Sequence, residues 1–108
     1  MALTIAGAEF TLTPSFAALA EIEQRAGMGL VALAQRFAEG RFGLADVMAV
    51  LVPAIKAGGS AVPERLGDGV VQTGIAPVAV AIARFLARAL TGEVAVDMPP
   101  ASADDRAP

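Results

Sequence analysis

The side chains that usually carry enzyme chemistry are scarce in this sequence. It contains no cysteine and no histidine, so a thiolate nucleophile and the usual general base are both missing. Lys56 is the only lysine, and it stands just before a Gly-Gly pair, where a basic residue is typical of a helix C-terminus. The carboxylates are scattered along the chain. These observations predict a protein that is not an enzyme and that has no metal site and no cofactor.

One short motif has the spacing of a nucleotide site. Residues 27–32, GMGLVA, match the loose form G-x-G-x-x-A of the dinucleotide fingerprint. That motif binds a pyrophosphate where a strand feeds the turn and a βαβ unit follows. Here a helical pattern precedes the glycines. We therefore interpret Gly27 and Gly29 as a tight corner between two helices.

The charge is unevenly distributed along the chain. The net charge is −3, and residues 93–108 account for it, with four carboxylates against Arg106. Residues 1–92 balance seven basic and seven acidic side chains. Contacts to a phosphate backbone need clustered Lys and Arg, which this neutral domain lacks, so no nucleic acid is expected as a partner. The longest uncharged run, Gly69–Ala83, is too short to cross a bilayer, which predicts a soluble protein without a membrane partner.

The N-terminal residues 3–13 are predicted to form a β-hairpin. Apolar and polar residues alternate on both sides of Gly7-Ala8, which suits a two-residue type II′ turn. The pairs expected from this turn are Ala6:Glu9, Ile5:Phe10, Thr4:Thr11 and Leu3:Leu12. Both apolar pairs then share one face, which must rest on helices because an isolated hairpin is marginal. The outer strand edges stay available to a partner strand.

Residues 16–57 indicate three short amphipathic helices separated by glycines. Thr13 is the expected N-cap of the first helix, with Pro14 at its first position. The predicted core faces are Phe16, Leu19, Ile22 and Ala26; Leu30, Leu33, Ala34 and Phe37; and Leu44, Val47, Met48, Leu51, Val52 and Ile55. Pro53 is expected to face away from the third of these.

The remainder of the chain indicates a loop, one long helix and a tail. Residues 60–74 are predicted as a loop with at most one helical turn, because Gly67 and Gly69 follow closely on Pro63. The last helix runs from about Ile75 to Thr91, and its core face is Ile75, Val78, Ile82, Phe85, Leu86 and Ala89. The fold class is therefore mainly α: a small bundle of four to five short helices with an N-terminal β-hairpin, in one domain over residues 1–92. Residues 93–108 are predicted to be a disordered acidic tail.

Candidate partner-binding residues are those that leave the core faces. Val31 flanks its stripe, whereas Val50 and Val80 point well away from theirs, and apolar residues on a neutral surface suggest self-association or partner binding. Arg84 and Arg88 lie one turn apart on the outer side of the last helix. Two simpler interpretations stand beside this one, since single exposed valines are common and basic residues suit a helix C-terminus.

Four segments resemble a known family. They are LAEIE at residues 19–23, LAQRF at 33–37, EGRF at 39–42 and FLARAL at 85–90. Together with the hairpin and the glycine corners, they are similar to a small family encoded in the tail modules of gene transfer agents and related phages. That family is described as a tail assembly chaperone and is also labelled a tail tube protein. The resemblance spans about residues 3–92, and residues 60–74 depart from the fuller acidic helix that the family shows there.

The resemblance implies a non-enzymatic role in the bacterial cytoplasm during particle assembly. A tail assembly chaperone would hold the tape-measure protein while tail tube subunits polymerise around it, so the tape-measure protein, the tail tube protein and further copies of the chain are the expected partners. One alternative is a structural subunit of the tail tube or tail end, located in the virion tail. Another is a general helical adaptor.

Overall fold

A computed structural model describes residues 1–92 of the chain. Its elements are β1 (Ala2–Ile5), β2 (Ala8–Thr11), α1 (Phe16–Ala26), α2 (Leu30–Ala38), α3 (Leu44–Ala57), α4 (Leu66–Thr73) and α5 (Ile75–Thr91). The predicted class, mainly α with an N-terminal hairpin, is confirmed. The tail predicted for residues 93–108 lies outside the described residues.

The hairpin forms, but its turn lies one residue earlier than predicted. The strands pair as Ala2↔Thr11, Leu3↔Phe10, Thr4↔Glu9 and Ile5↔Ala8. The turn residues are therefore Ala6 and Gly7, whose φ angles of 51° and 84° are both positive, as a type I′ turn requires. The predicted register was wrong, yet the apolar face survived, because pairing that shifts by two residues leaves every side chain on the same side.

Two contacts fix the hairpin to the helices. The Ala6 N–H donates to Thr73 Oγ1 at 2.7 Å, which ties the turn to the end of α4. At the other end, the Thr13 N–H donates to the Ala54 carbonyl of α3 at 3.2 Å. Close beside it, a Cβ added to Gly58 would lie 1.9 Å from the Thr11 carbonyl oxygen, so only glycine fits there. The hairpin therefore covers the C-terminal end of α3.

Helix α3 is buried on more than one side. It contacts α1, α5 and β2, and its buried residues are Val47, Ala49, Val50, Leu51, Pro53, Ala54 and Ile55. Two predictions were therefore wrong: Val50 is 0% exposed instead of lying on the surface, and Pro53 is buried instead of facing outward. The helical periodicity of the sequence indicates a single buried face, whereas α1, α5 and β2 all pack against this helix.

The segment predicted as a loop contains α4. Leu66 and Val70, one turn apart, are both buried in the core and hold this helix in place. Of the two glycines that suggested a break, Gly69 has a packing role, because a Cβ there would lie 3.1 Å from Ile5 Cγ2 of the hairpin, whereas a Cβ on Gly67 would meet no atom within 4 Å. The helix ends at Gly74, whose φ of 111° favours glycine.

For three helices, the first residue was wrongly predicted to be buried in the core. Phe16, Leu44 and Ile75 were predicted in the core, but they are 88%, 48% and 36% exposed. A helical side chain leans towards the N-terminus, so at the first position it projects beyond the neighbouring elements that would cover it. Helix α1 also takes Ser15 as its N-cap in place of Thr13, with the Ala18 N–H donating to Ser15 Oγ at 3.1 Å.

Apart from Ala89, which is half-buried outside it, the remaining predicted core residues belong to one continuous cluster or pack against it. Ile5, Phe10 and Leu12 from the hairpin meet the helical residues Ile22, Leu33, Phe37, Val47, Leu51, Ile55, Val78, Ile82, Phe85 and Leu86. Within residues 1–92, no single helix is long and apolar enough to cross a membrane. The pair α4 and α5 meets that criterion together by length and composition alone, with a 106° bend between them.

Candidate partner-binding groove

The outer surface carries an apolar groove between α2 and α5. It is open to solvent and has a volume of about 510 Å³. Its lining residues are Phe37 and Ala38 of α2, Phe42 of the following corner, and Ala76, Ala79, Val80, Ala83, Arg84 and Ala87 of α5. The groove thus forms where α2 and α5 pack together and no further element covers their outer surface.

Two stacked aromatic rings lie at the α2 side of this groove. The ring centroids of Phe37 and Phe42 are 4.8 Å apart, and the ring planes differ by 13°. Gly40, with a φ of 73°, turns the chain back after α2 so that Phe42 can return to Phe37. An offset stack of this kind makes a rigid apolar surface with few rotatable bonds.

The other side of the groove is a second stripe on α5. Ala76, Val80, Ala83, Arg84 and Ala87 follow helical spacing, as does the buried stripe Val78, Ile82, Phe85 and Leu86. Helix α5 therefore has two largely apolar faces, of which one enters the core and the other lines the groove. Val80 is 54% exposed there. The alanines keep this side of the groove low, so a second helix can approach closely.

Positive charge lies along one side of the groove. Arg25, Arg36, Arg41 and Lys56 each have a carboxylate within 4 Å. Arg84, which lines the groove, and Arg88, one turn further along α5, have no such partner among the described residues. Both are exposed. Their guanidinium groups are therefore available to carboxylates from elsewhere.

The groove collects three of the five predicted partner-binding residues. Val80 and Arg84 line it, and Arg88 follows on the same face of α5. Val31 is 59% exposed on α2 but does not line the groove. Val50 is in the core and offers no surface. Helical periodicity did not predict Phe37 and Phe42 as groove residues, although the Gly40–Gly43 corner with an aromatic residue on each side of Gly40 was a usable signal.

Four of the seven side-chain carboxylates in residues 1–92, those of Glu21, Glu23, Glu39 and Asp46, accept hydrogen bonds from basic side chains or backbone N–H groups. Glu23 Oε2 accepts from the Leu30 N–H at 2.9 Å and caps α2, whose own N-cap is Gly29. Asp46 Oδ2 accepts from the Gly43 N–H at 2.9 Å and from Arg36 Nη2 at 3.1 Å. These contacts join successive helices. Within residues 1–92, no group of three acidic side chains is arranged to hold a metal ion.

Glu21 joins α1 to α3. Its Oε2 accepts from Arg25 Nε at 2.8 Å and from Lys56 Nζ at 3.1 Å. The hydrogen bonds from Arg25 and Lys56 hold the pKa of the Glu21 carboxyl below its ordinary value of 4.5. Glu21, Arg25 and Lys56 thus form a three-membered network, and none of the three lines the α2–α5 groove.

The comparison with protein families covers the whole described region. Residues 1–92 match the family model described as "Phage tail tube protein, GTA-gp10". The chain belongs to this family. No curated protein and no solved structure matches the chain. The resemblance to gene transfer agent tail proteins, based on four short segments, is thereby confirmed, and the groove belongs to a member of a phage tail protein family whose description names no enzymatic activity.

Proposed function

We propose that the protein is a tail assembly chaperone that binds the tape-measure protein while the tail is being built. The α2–α5 groove is the observation that carries this proposal. Its α5 side runs from Ala76 to Ala87, about 16 Å or three helical turns. A groove of this length with an apolar lining suits an amphipathic helix laid into it, which is a common way for one protein to hold a segment of another.

The small extent of exposed apolar surface favours a partner that is later released. Permanent subunit interfaces bury about 2,000–5,000 Å² and are strongly hydrophobic. In residues 1–92 the exposed large apolar side chains are spread over all five helices: Phe16, Val31, Leu44, Val71, Ile75, Val80 and Leu90. Outside the groove, each of the first four helices carries one of them, and Ile75 and Leu90 lie near opposite ends of α5. Such a surface supports one modest contact, which suits a chaperone that must leave.

Co-expression tests this proposal directly. The full-length protein, produced together with the tape-measure protein of the same tail module, should raise the soluble fraction of that partner. Ala87→Trp fills the groove and should abolish the gain, whereas Ala32→Trp, on an exposed alanine of α2 outside the groove, should preserve it. An unchanged soluble fraction with the wild-type chain, or equal effects of both tryptophans, would contradict the chaperone role.

A structural role in the tail tube or tail end is the second candidate, and the family description favours it. A tube subunit stays in the finished particle and contacts further copies of itself. Quantitative mass spectrometry of purified particles separates the two roles. Detection of the protein in the tail at ring-like stoichiometry would refute the chaperone proposal and support the structural one. Its absence from particles that require its gene would support the chaperone proposal and refute the structural one.

A further inference from the structure

Resting on the proposed function, we propose that the groove selects a helix of one charge type. The favoured partner segment is an amphipathic helix whose apolar ridge enters the groove and whose flank carries two carboxylates one turn apart. Arg84 and Arg88 bind those carboxylates. The groove therefore recognises acidic-flanked helices and discriminates against basic-flanked ones.

The charges around the groove carry this inference. Arg84 is the charged residue among those that line it, and no carboxylate does so. Arg84 and Arg88 are exposed and have no carboxylate within 4 Å in residues 1–92, whereas four of the other basic side chains are paired. A basic flank on the partner would meet two positive charges that no carboxylate of residues 1–92 pairs with. An acidic flank would form two ion pairs and fix the position of the helix.

The spacing of the two arginines matches a helical partner. Residues at i and i+4 are about 6 Å apart along a helix axis, from its rise of 1.5 Å per residue. Two carboxylates at the same spacing on a helix lying along α5 therefore reach both guanidinium groups, in either chain direction. The partner ridge then packs against Val80 and the Phe37–Phe42 stack, at the separation of about 8–10 Å usual for packed helices.

The chain's own C-terminal sequence is the nearest rival for this place. It carries Glu93, Asp97, Asp104 and Asp105 and follows directly on Gly92. However, six residues separate Gly92 from Pro99-Pro100, which a helix does not continue through, and the groove spans about three turns. A segment of that length is too short to fill the groove as a helix. The partner helix is the better match.

Model peptides test the charge preference on the full-length protein. Two stapled 18-residue helices share one Leu/Ala face and differ at two flank positions four residues apart, Glu in one and Gln in the other. Fluorescence anisotropy at low salt should show about fivefold tighter binding of the Glu peptide, from two exposed ion pairs. The advantage should shrink as salt is raised. Equal affinities for the two peptides would overturn the proposal.

Charge reversal assigns the preference to α5. The double variant Arg84→Glu, Arg88→Glu should bind the Gln peptide more tightly than the Glu peptide. Arg65→Glu is the matched control, since Arg65 is exposed, lies outside the groove and likewise has no carboxylate within 4 Å in residues 1–92. A preference that persists in the double variant, or that Arg65→Glu removes, would show that α5 does not make the selection.

Two further measurements distinguish the proposed partner helix from two other occupants of the groove, the chain's own C-terminal sequence and a second copy of the chain. In the full chain with its four C-terminal carboxylates changed to Gln or Asn, unchanged peptide affinities support the proposal. Tighter binding of both peptides would identify the C-terminal sequence as the occupant and overturn it. Sedimentation of the wild-type chain as a monomer also supports it, whereas a dimer that Ala87→Trp dissociates would identify a second copy.

The peptide assay and the co-expression assay fail independently. If the tape-measure protein is solubilised but the peptides show no charge preference, the chaperone role stands and the acidic flank is wrong. If the peptides bind as expected while the tape-measure protein stays insoluble, the groove chemistry stands and its partner is another protein.

Discussion

Helices α3 and α5 carry the same sequence feature and use it in opposite ways. Each has a buried stripe and a valine well away from it, Val50 in α3 and Val80 in α5. Val50 is 0% exposed, because α1, α5 and the hairpin surround its helix, whereas Val80 is 54% exposed beside the groove. An off-stripe valine thus marks either a second buried face or a docking face. The neighbouring elements decide which.

The largest effect should come from placing a charge at these two valines. Val50→Asp puts an unpaired carboxylate in the core and should lower the free energy of unfolding by at least about 4 kcal/mol, enough to unfold much of the protein. Val80→Asp should change it by less than about 0.5 kcal/mol, since the new side chain is hydrated. Urea denaturation measures both. Similar losses in the two variants would break the contrast between the helices.

The next effect separates two adjacent glycines at the end of α3. Gly58→Ala drives a methyl group into the Thr11 carbonyl and should cost about 3 kcal/mol, because backbone must move. Gly59→Ala meets no atom within 4 Å and has only its φ of 94° to accommodate, at a cost of about 1 kcal/mol. Thermal unfolding should therefore rank Gly59→Ala closer to the wild type. A larger loss of stability in Gly59→Ala than in Gly58→Ala would mean that the hairpin does not pack against the end of α3.

A smaller effect is expected at the start of the same helix. Asp46→Ala removes the cap on the Gly43 N–H and the ion pair with Arg36, at an expected cost of about 2 kcal/mol. Asp68→Ala is the control, an exposed acidic residue in the first turn of α4, and should cost less than about 0.5 kcal/mol. Helix α5 has no side-chain cap at its start. Equal losses at Asp46 and Asp68 would show that the Asp46 cap does not stabilise the start of α3.

The smallest effect depends on pH and concerns the outer side of α3. The pKa of Glu21 is lowered in the folded state, so its contribution to stability is present above the ordinary value of 4.5 and is lost as the pH falls through the folded value. Glu21→Gln should lower Tm slightly at pH 7, and the difference should vanish in acid. Glu64→Gln, at an exposed residue without an ion pair in residues 1–92, should show no such trend. A Glu21→Gln deficit that does not shrink as the pH falls below 4.5 would contradict the assignment.

The sequence predicted more of the fold than of the groove, for physical reasons. Helical periodicity located α1, α2, α3 and α5, because one apolar face must be buried whatever the arrangement. It missed α4, since Gly67 and Gly69 also suit a loop, and nothing in the local sequence shows that Gly69 packs against Ile5 of the hairpin. It missed the Phe37–Phe42 stack because the contact depends on how Gly40 turns the chain. Val80, Arg84 and Arg88 are exposed as their helical positions predict, and their role in partner binding stays a prediction.

The hydrogen bond from Ala6 to Thr73 spans 67 residues of sequence. During synthesis at about 5–20 residues per second, the turn therefore waits roughly 3–13 seconds for its acceptor. A hairpin forms in about 1–10 microseconds, so it opens and closes many times before it can dock. Its strand edges are exposed for that whole interval. The hairpin turn, although made first, is thus fixed only once α4 has emerged, and until then the nascent chain is most vulnerable to strand pairing with its neighbours.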